Sequence, residues 1–244
     1  MSYKENPKTK GSGIYCAIPH STRCPVGCPD CFFQSGRSYL EPLEKNLPNM
    51  PPEDMLDDDN TVIRFNDGND SNFDRVTVFK SAMRYPRKFF NTSFPIDLAG
   101  FPGPVVLTAN PNRMTYTDFH KIEKPPPNLM FVRARTCTWN LPLVRDIVNW
   151  YTSRDVVVVL TFLAYFLEDV PDDHKKNYEA RKRVLNEYSA ITTEAWKNVM
   201  LEFFNNIRVY SCGKIEGVKD GTKCRWCGNC LREYHATTER MRRP

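Results

Sequence analysis

The chain has 244 residues, 41% of them hydrophobic and 26% charged, with nine cysteines and a formal net charge of +5. That apolar content suffices for a sizeable buried core and excludes a chain disordered throughout. The lysine-rich start MSYKENPKTKGSG lacks the apolar stretch of a secretion signal, and the longest apolar run, 156–167, is too short to span a bilayer.

These features predict a soluble, cytoplasmic protein in which thiols stay reduced, so that its cysteines serve as ligands rather than bridges. Acidic residues gather at Glu53, Asp54 and Asp57 to Asp59, and basic ones around 181–183 and 240–243. Such runs read first as solvated loops and tails, with the basic tail leaving nucleic-acid contact open.

Taken in chain order, GIYCAIP (13–19) is the first strand signal and leads straight into RCPVGCPDCFF (23–33). TVIRF (61–65) runs into the turn-rich NDGND. RKFFNTS (87–93), PVVLTAN (104–110), NLMFVRARTC (128–137) and DVVVVLTF (155–162) follow, each bounded by Gly, Pro, Asn or Asp. Helical spacing lies between them. The segment 73–85 places Val76, Phe79, Ala82 and Met83 on one face, and 141–151 does the same with Leu141, Val144, Ile147 and Val148. Two further surface helices are expected over 178–188 and 193–204, Thr193 with Trp196 and Val199 making a usable start for the second. The segments 40–60 and 94–103 are proline-rich and hold no helix signal.

Alternating strands and helices argue for a parallel sheet with crossover helices. The apolar run 156–162 suits a sheet covered on both faces. Six such strands make an open, partial barrel rather than a closed one of eight. The expected organisation is a barrel domain over 1–190 and a small C-terminal helix and cysteine module over 191–244.

Three cysteines, Cys24, Cys28 and Cys31, fall within eight positions directly after the first strand. In parallel α/β folds, reactive groups collect at the carboxyl ends of strands. Three thiolates can hold three irons of a 4Fe–4S cube and leave the fourth iron open to a small molecule. A zinc site would instead draw paired cysteines from separate segments.

The run CPVGCPDC resembles the CxxxCxxC motif of the radical S-adenosylmethionine (SAM) superfamily, and the strand alternation over 13–165 resembles that family's partial (βα)6 TIM-like barrel. The resemblance implies that SAM chelates the open iron. An electron from the cluster, supplied by a donor such as flavodoxin or ferredoxin, would then release a 5′-deoxyadenosyl radical that abstracts hydrogen from a substrate. It also implies an oxygen-sensitive enzyme. One position departs from the family: an aromatic usually precedes the third cysteine, and Asp30 stands here. Phe32 and Phe33 follow and are the residues available to cover adenine.

By the same resemblance, the Gly-rich stretch after the second strand corresponds to Asn66, Asp67, Gly68, Asn69 and Asp70, whose backbone and acid would meet the SAM amino group. On residue type alone this is an ordinary Asp-Gly turn. Polar residues on the fourth and fifth strands would hold the ribose and carboxylate: Thr108, Asn110, Arg133 and Arg135, with Asn91 and Ser93 of the same kind. Arg133 and Arg135 are two apart on a strand and so share a face. If that face is interior, the guanidinium groups need an anion.

Cys212, Cys224, Cys227 and Cys230 form a second set, with a tight CxxCxxC preceded by the strand-like IRVYS (207–211). Four thiolates close a zinc site or fully ligate a second 4Fe–4S cluster, and the compact spacing favours the cluster. Cys16 and Cys137 read as small buried hydrophobes. His20, His120, His174 and His235 show no metal-type spacing.

The expected function is therefore radical SAM chemistry on an unidentified substrate: a peptide, a nucleobase or a small metabolite. The short barrel leans towards a large one, peptide or nucleic acid. The alternative is a non-catalytic cysteine-rich zinc or iron–sulfur protein that binds nucleic acid.

Overall fold

The computed structural model describes residues 2–28, 31–34, 36–56, 60–110, 116–182, 187–215 and 223–243. Asp30 and the acidic residues Asp57 to Asp59 lie outside them. In chain order come β1 (Ile14–Ala17), β2 (Val62–Phe65), α1 (Arg75–Ala82), β3 (Lys88–Thr92), β4 (Val105–Ala109), α2 (Tyr116–Phe119), β5 (Leu129–Thr136), α3 (Leu141–Thr152) and β6 (Val158–Phe162). Then follow β7 (Tyr178–Lys182), β8 (Glu187–Ile191), α4 (Thr193–Leu201), β9 (Val209–Cys212), α5 (Cys224–Cys227) and α6 (Asn229–Arg242). The described residues of the proline-rich stretches hold short 3-10 turns, among them Leu43–Lys45 and Leu98–Gly100, and a single bridge of Asn49 to Ile18.

Seven strands form one parallel sheet in the order β1-β2-β3-β4-β5-β6-β9, curled into a half-barrel. The six strands expected from the sequence are all present. The IRVYS segment extends to Cys212 as β9 and pairs beside β6, placing Thr161 next to Cys212.

Every neighbouring pair being parallel, each strand must return by a crossover, and the crossover helices collect on one face. That outer face packs Ile63, Phe65, Phe90, Leu107, Val132 and Leu160 against Val78 of α1, Val144 and Ile147 of α3, and Trp196 and Val199 of α4. The opposite, inner face carries Ile14, Val62, Phe89, Val106, Phe131 and Val159, covered by Cys230 and Tyr234 of α6. The apolar layer of the sheet is thus covered on both sides, as its Val- and Phe-rich strands require.

Three helix expectations need correction. The segment 178–188 is no helix: β7 and β8 form an antiparallel hairpin in which Tyr178 faces Ile191. Tertiary pairing overrides its helix-forming residues. Ser189 exchanges backbone hydrogen bonds with Tyr165, and Tyr178 packs its ring on Trp139 and Tyr165. Helix α1 buries Val78 and Ala82, whereas Val76 and Met83 are 78% and 81% exposed. Asp74 caps it by accepting from the Thr77 backbone N–H, and that starting phase turns the 78/82 stripe inward. Helix α4 stops at Leu201 and is capped by Thr192, whose hydroxyl accepts from the Ala195 N–H. Helix α3 agrees with its pattern, with Val144, Ile147 and Val148 buried.

Among the described residues, no helix is long and apolar enough to cross a membrane.

Candidate functional site

Cys24, Cys28 and Cys31 stand in the loop that leaves the carboxyl end of β1, all partly exposed and none in a disulfide. The loop is tied down locally. Cys31 N–H donates to the Cys28 carbonyl at 3.1 Å, and the Gln34 side chain donates to the Cys24 carbonyl at 2.6 Å. Phe33 anchors it, buried among Ile18, Leu40, Leu43 and Leu47. Phe32 remains 36% exposed. Burial pushes the Cys24 thiol up to about 11, with the fields of Asp70, Cys31 and Cys28 adding to the rise. Cys24 therefore lies in the fields of the other two thiols and of the turn that follows β2.

That turn holds Asn66, Asp67, Gly68, Asn69 and Asp70. Its ends are anchored in different directions. The Asp70 carboxylate accepts from the Thr92 hydroxyl, the Ser93 N–H and hydroxyl, and the Asn72 N–H, at 2.6–2.8 Å. It thereby fixes the turn to the end of β3 and engages Ser93. Asn69 reaches the Thr22 carbonyl at 3.3 Å, and the Phe33 ring rests on Gly68. Asp67 points the other way, to a buried ion pair with Arg64 and a hydrogen bond from Asn6. Asn66 donates from its side chain to the Ser71 hydroxyl.

The second thiol set lies on the inner face of the sheet. Alternation along each strand, with the register between strands, puts Cys16, Arg64, Asn91, Thr108, Arg133, Arg135, Thr161 and Cys212 on that face, beyond the apolar layer under α6. Asn229, opening α6, donates to the Ser211 carbonyl at 2.9 Å and so brings Cys230 beside Cys212. Gly228 links α5 to α6 at φ 64°, a left-handed conformation that glycine adopts without strain. The Cys224 N–H donates to the Lys8 carbonyl at 2.8 Å, strapping the cysteine helix to the N-terminal segment.

Within this set, the interaction with Cys227 raises Cys212 well above the ordinary thiol range, with burial adding to it, and lowers Cys227. Burial raises Cys230 and pushes Cys224 up to about 11. Burial works against the Arg64 charge, yet the fields of Asp67, Cys16, Cys224 and Cys230 hold its pKa well above the usual value. Arg133 donates to Asn91 Oδ1 at 3.2 Å and to Thr108 Oγ1 at 3.5 Å, and its charge works against the burial-driven rise of Cys230.

Arg133, Asn91 and Thr108 are thus grouped with the second thiol set. Arg135, two residues on, is buried nearer the carboxyl ends, as is Asn110 just after β4. Arg64 escaped the sequence reading, although a charged residue interrupting the apolar strand VIRF was a signal for it. Cys16 is fully buried, as expected of a small hydrophobe, but its sulfur lies 3.3 Å from an Arg64 amino group, a contact its reading did not foresee. The basic tail is partly internal: Arg240 donates to the carbonyls of Pro127 and Leu129 at 2.9 and 2.6 Å, and Arg243 pairs with Glu239.

Among the described residues, no three His, Cys, Asp or Glu side chains are already drawn together as the shell of a metal ion. The donor chemistry of both sets is sulfur alone, which suits soft metals and iron–sulfur cores over magnesium or calcium. Compared with family models, curated proteins and solved structures, the chain matches none.

Proposed function

We propose that this chain is a radical SAM enzyme built on a partial barrel of the (βα)6 type. The observation that carries the reading is the placement of Cys24, Cys28 and Cys31. The three stand in one loop at the carboxyl end of the first strand of a parallel sheet, and Phe33 on Gly68 and Asn69 at the Thr22 carbonyl join that loop to the 66–70 turn. When bound there, a 4Fe–4S cluster with SAM on its open iron supplies a carbon-centred radical able to abstract hydrogen.

The chain's own residues would do the rest. Phe33, locked on Gly68, keeps the loop seated, while partly exposed Phe32 offers a ring edge to an adenine. Backbone groups of the 66–70 turn would meet the amino end of SAM. Asn110 and Arg135, at the carboxyl ends of β4 and β5, are assigned to its ribose and carboxylate, since an interior guanidinium pairs bidentately with a carboxylate. The inner-face thiols Cys212, Cys224, Cys227 and Cys230 would hold a second, fully ligated 4Fe–4S cluster. An electron donor such as flavodoxin or ferredoxin completes the requirement.

Protein isolated without oxygen should be brown, and the electron paramagnetic resonance signal of its reduced cluster should change on adding SAM. Colourless, zinc-loaded protein would refute the reading in favour of a passive cysteine-rich module.

A further inference from the structure

We propose that the face built from the N-terminal segment, α5 and α6 binds single-stranded nucleic acid, with Trp226 stacking on an unpaired base and the basic side chains around it taking the phosphates. The inference rests on charge and exposure, and is independent of what either cysteine set holds.

Residues 2–12 carry Lys4, Lys8 and Lys10 against Glu5, and residues 223–243 carry six basic residues against Glu233 and Glu239. The two segments hold a formal +2 and +4, together +6, where the whole chain holds +5, so the rest of the chain is about neutral. Though remote in sequence, they meet in the fold. The Cys224 N–H donates to the Lys8 carbonyl at 2.8 Å, and the Arg225 side chain lies against Gly11. Helix α6 then runs along the open side of the half-barrel, between its two edge strands. Leu231 rests on Gly13 just before β1, and the Arg232 guanidinium lies 4.2 Å from the Tyr210 ring centre of β9. The 14 residues of α6 extend this basic face over about 21 Å.

Much of the charge is uncommitted. Lys4, Lys223, Arg225 and Arg242 have no carboxylate partner among the described residues, and Lys10 meets Glu5 only at 3.9 Å. Cations gathered in this way repel one another, and a polyanion relieves that repulsion. Trp226 follows Arg225 on α5 and is 61% exposed, with the Arg225 guanidinium 4.8 Å from its ring centre. An indole left in water beside a guanidinium is a platform on which a base can stack. Apart from Trp226, Met241 is the one large apolar side chain exposed among the described residues of these segments. The face therefore lacks the apolar centre that a protein partner would bury, which favours a nucleic acid over an acidic protein.

The test measures binding of a short fluorescein-labelled oligouridylate to the full chain by anisotropy, over a series of salt concentrations. Affinity should fall steeply with salt, and binding should quench the fluorescence of Trp226, which alone of the four tryptophans is exposed. Arg225→Gln with Arg232→Gln should weaken binding and flatten the salt dependence. Trp226→Ala should weaken binding roughly fivefold or more, abolish the quenching and leave the salt dependence in place. Trp226→Phe keeps a ring and should retain most of the affinity, whether or not Trp226→Ala disturbs α5. Lys80→Gln with Arg84→Gln removes as much charge from the outer face, at α1 and the turn after it, and should change little. Absence of binding at low salt overturns the proposal, as does an affinity unchanged by both the double arginine variant and Trp226→Ala. An equal loss in the Lys80→Gln, Arg84→Gln variant overturns it too, since net charge and not this face would then be what binds. Equally tight binding of heparin or of phosphatidylserine vesicles, without quenching of Trp226 by the oligonucleotide, would replace a nucleic-acid site with a general polyanion or membrane surface.

Discussion

The ring of Phe33 lies against Gly68, so close that a β-carbon at residue 68 would fall inside the ring's van der Waals envelope. Residue 68 must be glycine because the cysteine loop's anchor occupies the space where a side chain would go. Gly68→Ala should therefore overpack the junction between loop and turn and destabilise the protein by about 1–3 kcal/mol. Denaturant unfolding measures it, and adding Phe33→Leu should recover part of the loss. Unchanged stability in Gly68→Ala would mean that the ring swings aside and does not seat the loop.

Cys16 connects stability to pH. Burial pushes its thiol up to about 12, with the Arg64 charge opposing that rise. An unfolded cysteine releases its proton near pH 8.5, so above that value the folded chain binds more protons than the unfolded one. Stability contributed by the neutral, buried thiol is complete below about pH 8.5 and is lost as pH climbs towards 12, by at most ~1.4 kcal/mol per pH unit. The metal-free wild type should therefore lose stability faster than Cys16→Val across this window. Parallel pH profiles for the two proteins would contradict a fully protonated Cys16.

If two cubane clusters are present, anaerobically reconstituted protein should hold about eight irons, and a Cys224→Ala, Cys227→Ala, Cys230→Ala variant about four. Iron and sulfide assays give the count directly. Stoichiometric zinc at the C-terminal site of protein isolated without oxygen would contradict a second iron–sulfur cluster.

Much of this arrangement was legible because strands announce themselves locally. The apolar runs around Val106, Val132 and Val159 lie between turn residues, and all became sheet strands. The first cysteine loop was legible for a simpler reason, since its three thiols are close in sequence. The hairpin at 178–191 was not, because its residues favour a helix and only the pairing of Ser189 with Tyr165, fixed by the fold, makes it extended. Nor was the neighbourhood of Arg133. A two-residue period shows which face a side chain takes, but only the return of α6 across the sheet reveals that Cys230 covers that face. Cys16 and Arg64, 48 positions apart, became neighbours by strand register alone.

The central claim is that Cys24, Cys28 and Cys31 together carry the chemistry. The most direct measurement is anaerobic incubation with SAM and a reductant, followed by chromatography for 5′-deoxyadenosine, with wild type beside the Cys24→Ala, Cys28→Ala, Cys31→Ala variant. The wild type should form 5′-deoxyadenosine, and the variant should form none while retaining metal at Cys212, Cys224, Cys227 and Cys230. Formation of 5′-deoxyadenosine by the variant, or its absence from cluster-loaded wild type, would contradict the assignment.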